Sequence, residues 1–194
     1  MRWDVVGLVL GWTIRLVALP LLVVALFSIY EDGLIYSAKT YFLPLFISAI
    51  LGQLMVSLSN GYEASTRVRD REAFASVALG WIPVVLIGSL PFWLGGMFYG
   101  PFDLLSGDAS IRQISQGALY SWFESMSGFT TTGASVIDSS SSPICREILT
   151  NSLAIDCIAS QPKSLLLWRS LTQWFGGMGV IMLGLLILSR ALGG

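Results

Sequence analysis

Four long apolar segments, separated by polar links, divide the chain. They cover residues 5–30, 41–58, 73–98 and 165–188. A helix rises about 1.5 Å per residue, so that about 20 apolar residues cross the hydrocarbon core of a membrane. The pattern therefore predicts four transmembrane helices, of which the second is the shortest. Pro20, Pro83 and Pro91 lie inside these segments, and membrane helices tolerate such prolines where neighbouring groups satisfy the freed carbonyls.

A shorter and more polar stretch, residues 115–137, lies between the third and fourth apolar segments. Residues 114–127 have the pattern of a short amphipathic helix, about 21 Å long, which is too short to cross the membrane. The threonines that follow, Thr130, Thr131 and Thr132, are β-branched and resist continuation of the helix. Gly133 comes next and can adopt a positive φ at no steric cost. We therefore predict a re-entrant helix followed by an extended threonine–glycine strand.

A loop of this kind is suited to line an ion path. Non-helical backbone at membrane depth persists only where protein buries it or where it borders water. Unusual dihedrals along Thr-Thr-Thr-Gly would point successive carbonyls at one axis, as in filters built from backbone oxygens. The C-terminal end of the preceding helix carries partial negative charge, which favours a cation. The motif alone occurs in many loops, but its position between a short helix and an apolar segment indicates permeation.

Composition places the chain among membrane proteins. It is 54% hydrophobic and 12% charged, with a mean hydropathy of +0.73, whereas soluble domains are roughly 25% charged. The aromatic residues suit contact with membrane lipids at the interfaces. A net charge of −1 gives no indication of nucleic-acid binding. An enzyme is not indicated either, because there is no histidine, no nucleophile–base pair, no phosphate-binding loop and no metal-ligand cluster.

The distribution of charge predicts an orientation. Arg67, Arg69 and Arg71 lie between the second and third apolar segments, and Arg2 and Arg190 fall on the same side if all four segments span. Positive charge is enriched on the cytoplasmic side, so the N-terminus is predicted to be cytoplasmic. The opposite side carries more acidic than basic residues. These would concentrate cations at an outer mouth, or they are simply solvated loop charges.

Two motifs resemble a known family. Residues 122–136 read WFESMSGFTTTGASV, and residues 167–181 read LWRSLTQWFGGMGVI. They are similar to the first pore loop and the following helix of the TrkH family, the membrane subunits of the Trk potassium uptake system within the Trk/Ktr/HKT superfamily. The resemblance implies an all-α membrane protein with four transmembrane helices plus one re-entrant pore helix and filter loop. It divides the chain into two N-terminal helices over 1–60, a cytoplasmic link over 61–72 and a first M1–P-loop–M2 pore repeat over 73–194.

The resemblance also implies which residues act. In the family, threonine carbonyls before the filter glycine coordinate potassium, which assigns Thr131 and Thr132 as ligands and Gly133 as the filter glycine. Thr130 and Ala134 adjoin them. The implied activity is potassium uptake across the cell membrane, channel-like or by symport, with the ion as substrate and no cofactor in this chain. The implied partners are a cytosolic TrkA-like regulatory subunit with RCK domains and, for the complete protein, a second copy in a homodimer.

One departure from the family limits these expectations. Family members carry four pore repeats in one chain, and this chain has one. The remaining repeats would come from the same full-length chain or from further copies. We favour an N-terminal portion of a longer chain, because the first two segments would obstruct a simple four-fold ring. A different class also stays open, namely a membrane scaffold or assembly subunit without transport activity of its own.

Several residues have two interpretations. Arg169 near the start of the fourth segment is most simply a residue that snorkels to the outer interface, and the alternative is an ion pair with Glu124 that supports the filter. Arg15 is interpreted as a paired or snorkelling residue rather than a voltage sensor, since one arginine carries little gating charge. Three glycines of the fourth segment permit close helix packing or form a hinge below the filter; they are Gly176, Gly177 and Gly179.

The loop over residues 138–161 contains both cysteines of the chain. Their separation is not that of a zinc site. If the loop is extracytoplasmic, Cys145 and Cys157 can form a disulfide, and the alternative is two unrelated thiols.

Overall fold

The computed structural model describes residues 2–59, 70–151 and 156–192, and in these ranges it is helical without any β-strand. The elements are α1 Trp3–Glu31, α2 Leu34–Ser37, a π-helical turn Ala38–Phe42, α3 Leu43–Leu58, α4 Asp70–Leu94, α5 Pro101–Ser106, α6 Ile111–Phe129, α7 Pro143–Asn151 and α8 Lys163–Leu192. The predicted all-α membrane class is therefore confirmed.

Three helical stretches in the described ranges are long and apolar enough to cross a membrane: Trp3–Glu31, Leu34–Leu58 and Arg71–Leu94. The second begins earlier than predicted, because α2 and the π-helical turn continue directly into α3. The third ends at Leu94, before the predicted end at Phe98, since Gly96 has a φ of +82° and ends the helical course. α8 contains the fourth predicted segment and extends over 30 residues, about 45 Å at the usual rise.

The long helices pack side by side, and polar contacts connect their ends. At one end the backbone N–H of Arg2 donates to Glu72 of α4 at 3.2 Å. At the other end Lys163 of α8 forms an ion pair with Glu31 of α1, with N and O 2.6 Å apart. These contacts place the starts of α1 and α4 on one face of the bundle, and the end of α1 with the start of α8 on the opposite face.

The outer surface of the bundle is apolar. Along α1, Leu16, Leu19, Val23 and Leu26 are each between 57% and 60% exposed, whereas Leu21 on the opposite side of the same helix is fully buried. A soluble protein rarely exposes a continuous stripe of this kind. The stripe is therefore a lipid-facing surface, which agrees with the length and composition of the helix.

The predicted division at residues 60 and 72 stays a prediction. Most of the link, including Arg67 and Arg69, lies outside the described residues.

Candidate functional site

Helix α6 is longer than the sequence analysis predicted. It runs over Ile111–Phe129, 19 residues instead of 14, and begins at a capping box in which the backbone N–H of Ser110 donates to the Gln113 side chain at 2.9 Å. The Ser-x-x-Gln pattern that marks this start is visible in the sequence. At about 28 Å, the length of α6 does not by itself rule out a crossing. The contacts of α6 with its neighbours, rather than its length, distinguish re-entry from crossing.

Those contacts show that α6 ends halfway along its neighbours. The Ser125 hydroxyl donates to the Val85 carbonyl at 2.8 Å, and the Phe129 ring lies 6.4 Å from the ring of Trp81. Both partners belong to the middle of α4. On the other side, a Cβ at Gly176 would collide with the Phe129 carbonyl, which places the end of α6 against the middle of α8. The helix thus stops at mid-depth in the bundle.

After Phe129 the chain turns and runs back along α6. The N–H of Thr131 donates to Gly128 at 2.9 Å and that of Thr132 donates to Ser127 at 3.0 Å. The Ser127 hydroxyl then donates to the carbonyl of Ala134 at 2.7 Å. Further on, the Ser135 hydroxyl donates to Glu124, one turn earlier in α6, at 3.1 Å. This is the re-entrant course that the sequence predicted.

The backbone at the turn is unusual. Gly133 has a φ of +73°, the left-handed conformation that its missing side chain allows. Thr131 has a φ of +57° and is the one described non-glycine residue with a positive value, which the sequence did not indicate. The predicted extended strand is wrong for the first two threonines, which form the turn described above. A β-branched residue in this conformation is strained, and such strain is concentrated at functional sites.

The turn is exposed. All five predicted filter residues are exposed: Thr130, Thr131, Thr132, Gly133 and Ala134. The residues that precede and follow them, Phe129 and Ile137, are buried. The loop is therefore anchored at both ends in the packed bundle, while the five residues at its centre are exposed.

A buried ion pair lies behind the loop. The Nε of Arg169 is 2.6 Å from Oε1 of Glu124, whose side chain is fully buried. The other carboxylate oxygen of Glu124 accepts from the Ser135 hydroxyl and from the N–H of Val136 at 3.4 Å. A second nitrogen of Arg169 donates to the carbonyl of Gly133 at 3.4 Å. The structure thus has the ion pair that was the alternative to snorkelling, and the pair connects α6, α8 and the return segment.

The three glycines of α8 lie in an uninterrupted helix. Gly176 packs directly on the Phe129 backbone, whereas a Cβ at Gly177 would meet Thr131 at 3.8 Å and one at Gly179 would meet Trp81 at 3.9 Å, which are ordinary contacts. Close packing therefore explains Gly176. A hinge role for Gly176, Gly177 and Gly179 stays a prediction.

One residue near the loop was missed by the sequence analysis. The Gln173 amide lies one helical turn after Arg169, and its nitrogen is 3.6 Å from where a Gly133 Cβ would be. Its polar character inside an apolar segment, four residues from Arg169, is the signal that could have identified it.

The loop over residues 138–161 is folded on the return segment, where the Ser141 hydroxyl donates to the carbonyl of Val136 at 2.7 Å. The Asp138 carboxylate accepts from the hydroxyl of Ser140 and the N–H of Ser141, and these hydrogen bonds lower its pKa. Cys145 of α7 and Cys157 are joined by a disulfide, with their Cα atoms 5.1 Å apart. The disulfide is the first of the two alternatives that the sequence left open. It connects α7 to the turn before α8.

Comparisons with known proteins give a consistent result. The chain is 31% identical over 160 residues to the Trk system potassium uptake protein TrkH of Escherichia coli, covering 82% of this chain and 25% of the relative. It is 32% identical over 170 residues to the TrkH of Halomonas elongata, covering 87% of this chain and 26% of the relative. It is 26% identical over 190 residues to an uncharacterized cation transporter of Methanocaldococcus jannaschii, covering 97% of this chain and 31% of the relative.

No family model matches the chain, and no solved structure matches it. The chain spans between a quarter and a third of the length of the curated relatives it matches. Over most of its own length, the chain is thus a homologue of the Trk system potassium uptake proteins TrkH.

Proposed function

We propose that this chain takes part in potassium transport across the cell membrane and supplies one of the four segments of a selectivity filter. The observation that carries the proposal is the re-entrant loop, which turns at mid-depth with Thr131 and Gly133 in the left-handed conformation and with residues 130–134 exposed. Potassium is proposed as the ion because the relatives are named potassium uptake proteins. These names describe transporters and support a role other than catalysis.

The proposed ligands are the backbone carbonyls of Thr131 and Thr132. The carbonyls of Gly133 and Ala134 accept hydrogen bonds from Arg169 and Ser127, whereas no described group donates to the carbonyls of Thr131 and Thr132. The C-terminal end of α6, which carries partial negative charge, lies at the same depth as these carbonyls, and this charge favours a cation. Glu124 balances the charge of Arg169. The guanidinium, which lies next to the loop, therefore does not repel the proposed potassium ion.

One loop supplies one quarter of a ring of carbonyls, so the other three segments must come from elsewhere. We propose that they belong to a longer version of the same chain or to further copies. They would lie against residues 130–134, which are exposed. A cytosolic TrkA-like subunit with RCK domains, dimerisation of the complete protein and a cytoplasmic N-terminus in the cell membrane are further parts of the proposal.

The proposal is tested by substituting the filter glycine in a complete transporter that carries this segment. Gly133→Ser should reduce discrimination between rubidium and sodium, because a serine Cβ disfavours the dihedrals that direct the carbonyls of Thr131 and Thr132. Thr132→Val should change selectivity less, because the proposed ligand is the backbone oxygen. The measurement is the ratio of rubidium to sodium flux in reconstituted vesicles at matched protein.

Gly107 provides a matched control. It has a φ of +82° with open space around it and ends α5, away from the loop. Gly107→Ser therefore introduces comparable backbone strain without touching the filter. An unchanged flux ratio in folded Gly133→Ser protein, or an equal change in Gly107→Ser protein, would contradict the filter assignment. Lack of any rubidium uptake by the unmodified complete transporter, in a strain deficient in potassium uptake, would favour the scaffold alternative.

A further inference from the structure

Helix α7 is attached to the rest of the molecule by its disulfide and a few hydrogen bonds. In the part of the chain that the structure describes, α7 packs on no other helix. The disulfide joins Cys145, in the first turn of α7, to Cys157. Cys157 and its neighbour Ile158 pack on the main apolar core of the bundle. The disulfide therefore connects a loosely attached helix to a fixed part of the chain.

Hydrogen bonds continue from the start of α7 to the return segment. The Ser142 hydroxyl, just before α7, accepts from the Gln161 amide at 3.2 Å. The adjacent Ser141 hydroxyl donates to the carbonyl of Val136 at 2.7 Å, and the N–H of Val136 donates to Glu124 at 3.4 Å. A continuous series of contacts thus runs from the disulfide-bonded helix to the carboxylate behind the loop.

The two sulfur atoms differ in their access to solvent. Cys145 is 1% exposed, whereas Cys157 is partly exposed. A disulfide opens when a thiolate attacks one sulfur and the other sulfur leaves as a thiolate. Cys157 is the sulfur that an incoming thiol can reach. Cys145 would then leave from the first turn of α7, where the partial positive charge of the helix N-terminus offsets the cost of a buried thiolate.

We propose that Cys157 is a thiol-exchange site, and that opening the disulfide there releases α7 and loosens the return segment. The co-reactant is a dithiol. One of its thiolates attacks the Sγ of Cys157 and forms a mixed disulfide, while the electron pair of the broken bond goes to Cys145, which takes up a proton. The second thiolate displaces Cys157 as a thiol. The cystine is thus reduced by two electrons, and the dithiol is oxidised to its own disulfide.

Trapping with a monothiol tests the exchange site. Purified full chain in detergent, treated with 2-mercaptoethanol and quenched with acid, should carry the adduct on Cys157 and a free thiol at Cys145. Peptide mass spectrometry distinguishes the two positions. Adducts mainly on Cys145, or a disulfide that reacts only after denaturation, would overturn the assignment.

Hydrogen exchange tests the release of α7. After reduction with dithiothreitol, the amides of residues 136–142 should exchange at least about tenfold faster, because a disulfide that closes a short loop strongly restricts its opening. Amides in the middle of α1 should be unchanged. The paired variant Cys145→Ser and Cys157→Ser should exchange at the fast rate with or without dithiothreitol. Ser142→Ala is the matched control, since it removes the hydrogen bond from Gln161 and keeps the disulfide.

Three exchange results would overturn the proposal. Unchanged exchange of residues 136–142 in the fully reduced chain would show that α7 stays in place without the disulfide. Equal acceleration in the middle of α1 would show a general loss of stability. Equal acceleration in oxidised Ser142→Ala protein would assign the attachment of α7 to the hydrogen bond.

One consequence rests on the proposed function. In a complete transporter that carries this segment, reduction should lower the ratio of rubidium to sodium flux, and the paired serine variant should have the lower ratio without reductant. An unchanged ratio in protein whose residues 136–142 exchange faster would overturn any control of the filter by the disulfide. A ratio that responds to Gly133→Ser but not to reduction would overturn this control alone and leave the proposed function in place.

Discussion

At the residue scale, the contact between Glu124 and Arg169 is expected to contribute most to the stability of the loop. Glu124 is fully buried and Arg169 is 19% exposed at its side chain, so each charge depends on the other for compensation. Removing one partner of a buried pair leaves an uncompensated charge, which typically costs about 3–5 kcal/mol, whereas replacing both by neutral groups costs much less. The pair also holds the Gly133 carbonyl and the return segment.

We therefore expect a strong coupling between the two residues. Glu124→Gln and Arg169→Gln should each destabilise the chain, and the double substitution should cost less than the sum, with a coupling of about 1–3 kcal/mol. Unfolding in mixed micelles, titrated with a denaturing detergent, measures the four free energies of the cycle. The exposed pair of Lys163 and Glu31 is the control and should couple far more weakly. Additive effects of the Glu124 and Arg169 substitutions would show that the contact does not support the fold.

At the element scale, the structure rests on close approach of α6 and α8. Gly176 allows this approach, because any side chain there would collide with the backbone of Phe129. Gly179, three residues further along the same helix, has ordinary space around it. Gly176 and Gly179 thus have different structural roles. The sequence alone does not distinguish them, because either glycine is compatible with close packing and with a hinge.

Alanine substitutions should separate the two glycines. Gly176→Ala should destabilise the chain by about 1–3 kcal/mol, the usual range for overpacking, because α8 must move away from the end of α6. Gly179→Ala should be neutral or slightly stabilising, since alanine favours a helix by about 1 kcal/mol over glycine. Thermal unfolding of both variants in the same detergent measures the difference. Equal stability of the two would contradict the packing role, and loss of flux in Gly179→Ala without loss of stability would favour a hinge.

At the scale of the whole molecule, the contacts at the helix ends define two faces. One face carries Arg2 and Glu72, and the other carries Glu31, Lys163 and the disulfide-bonded loop. The basic residues of the first face predict that it is cytoplasmic. The loop with its disulfide would then lie outside, where disulfides persist.

Cysteine labelling tests this orientation. Both native cysteines are in the disulfide, so a single added cysteine reports its own position. Ser140→Cys, at an exposed position of the loop over residues 138–161, should react with an impermeant reagent in intact cells. Trp3→Cys, 66% exposed at the wild-type tryptophan and on the opposite face, should react only after lysis. The reverse pattern would contradict the orientation.

The sequence alone was sufficient for the class and for the re-entrant course of the loop. Apolar runs predict membrane helices because the length and hydropathy of a segment decide its transfer into hydrocarbon, whatever its neighbours are. The re-entrant loop and the positive φ of Gly133 were also predictable, since both depend on the local preferences of a few residues. The bounds of α6 were less well predicted, although the Ser110–Gln113 capping box that starts the helix is a local signal.

Only the tertiary structure decided the features that depend on distant residues. From the sequence, Arg169 could either snorkel to the interface or pair with Glu124. The sequence does not decide between them, because 45 residues separate the two side chains along the chain. The left-handed conformation of Thr131 opposes its own β-branched preference, and it persists where packing on α4 and α8 fixes the end of α6. The disulfide likewise requires that Cys145 of α7 and Cys157, which are 12 residues apart, be brought to 5.1 Å between their Cα atoms. Local energies thus determined where the chain enters and turns, and long-range packing determined which side chains hold the turn in place.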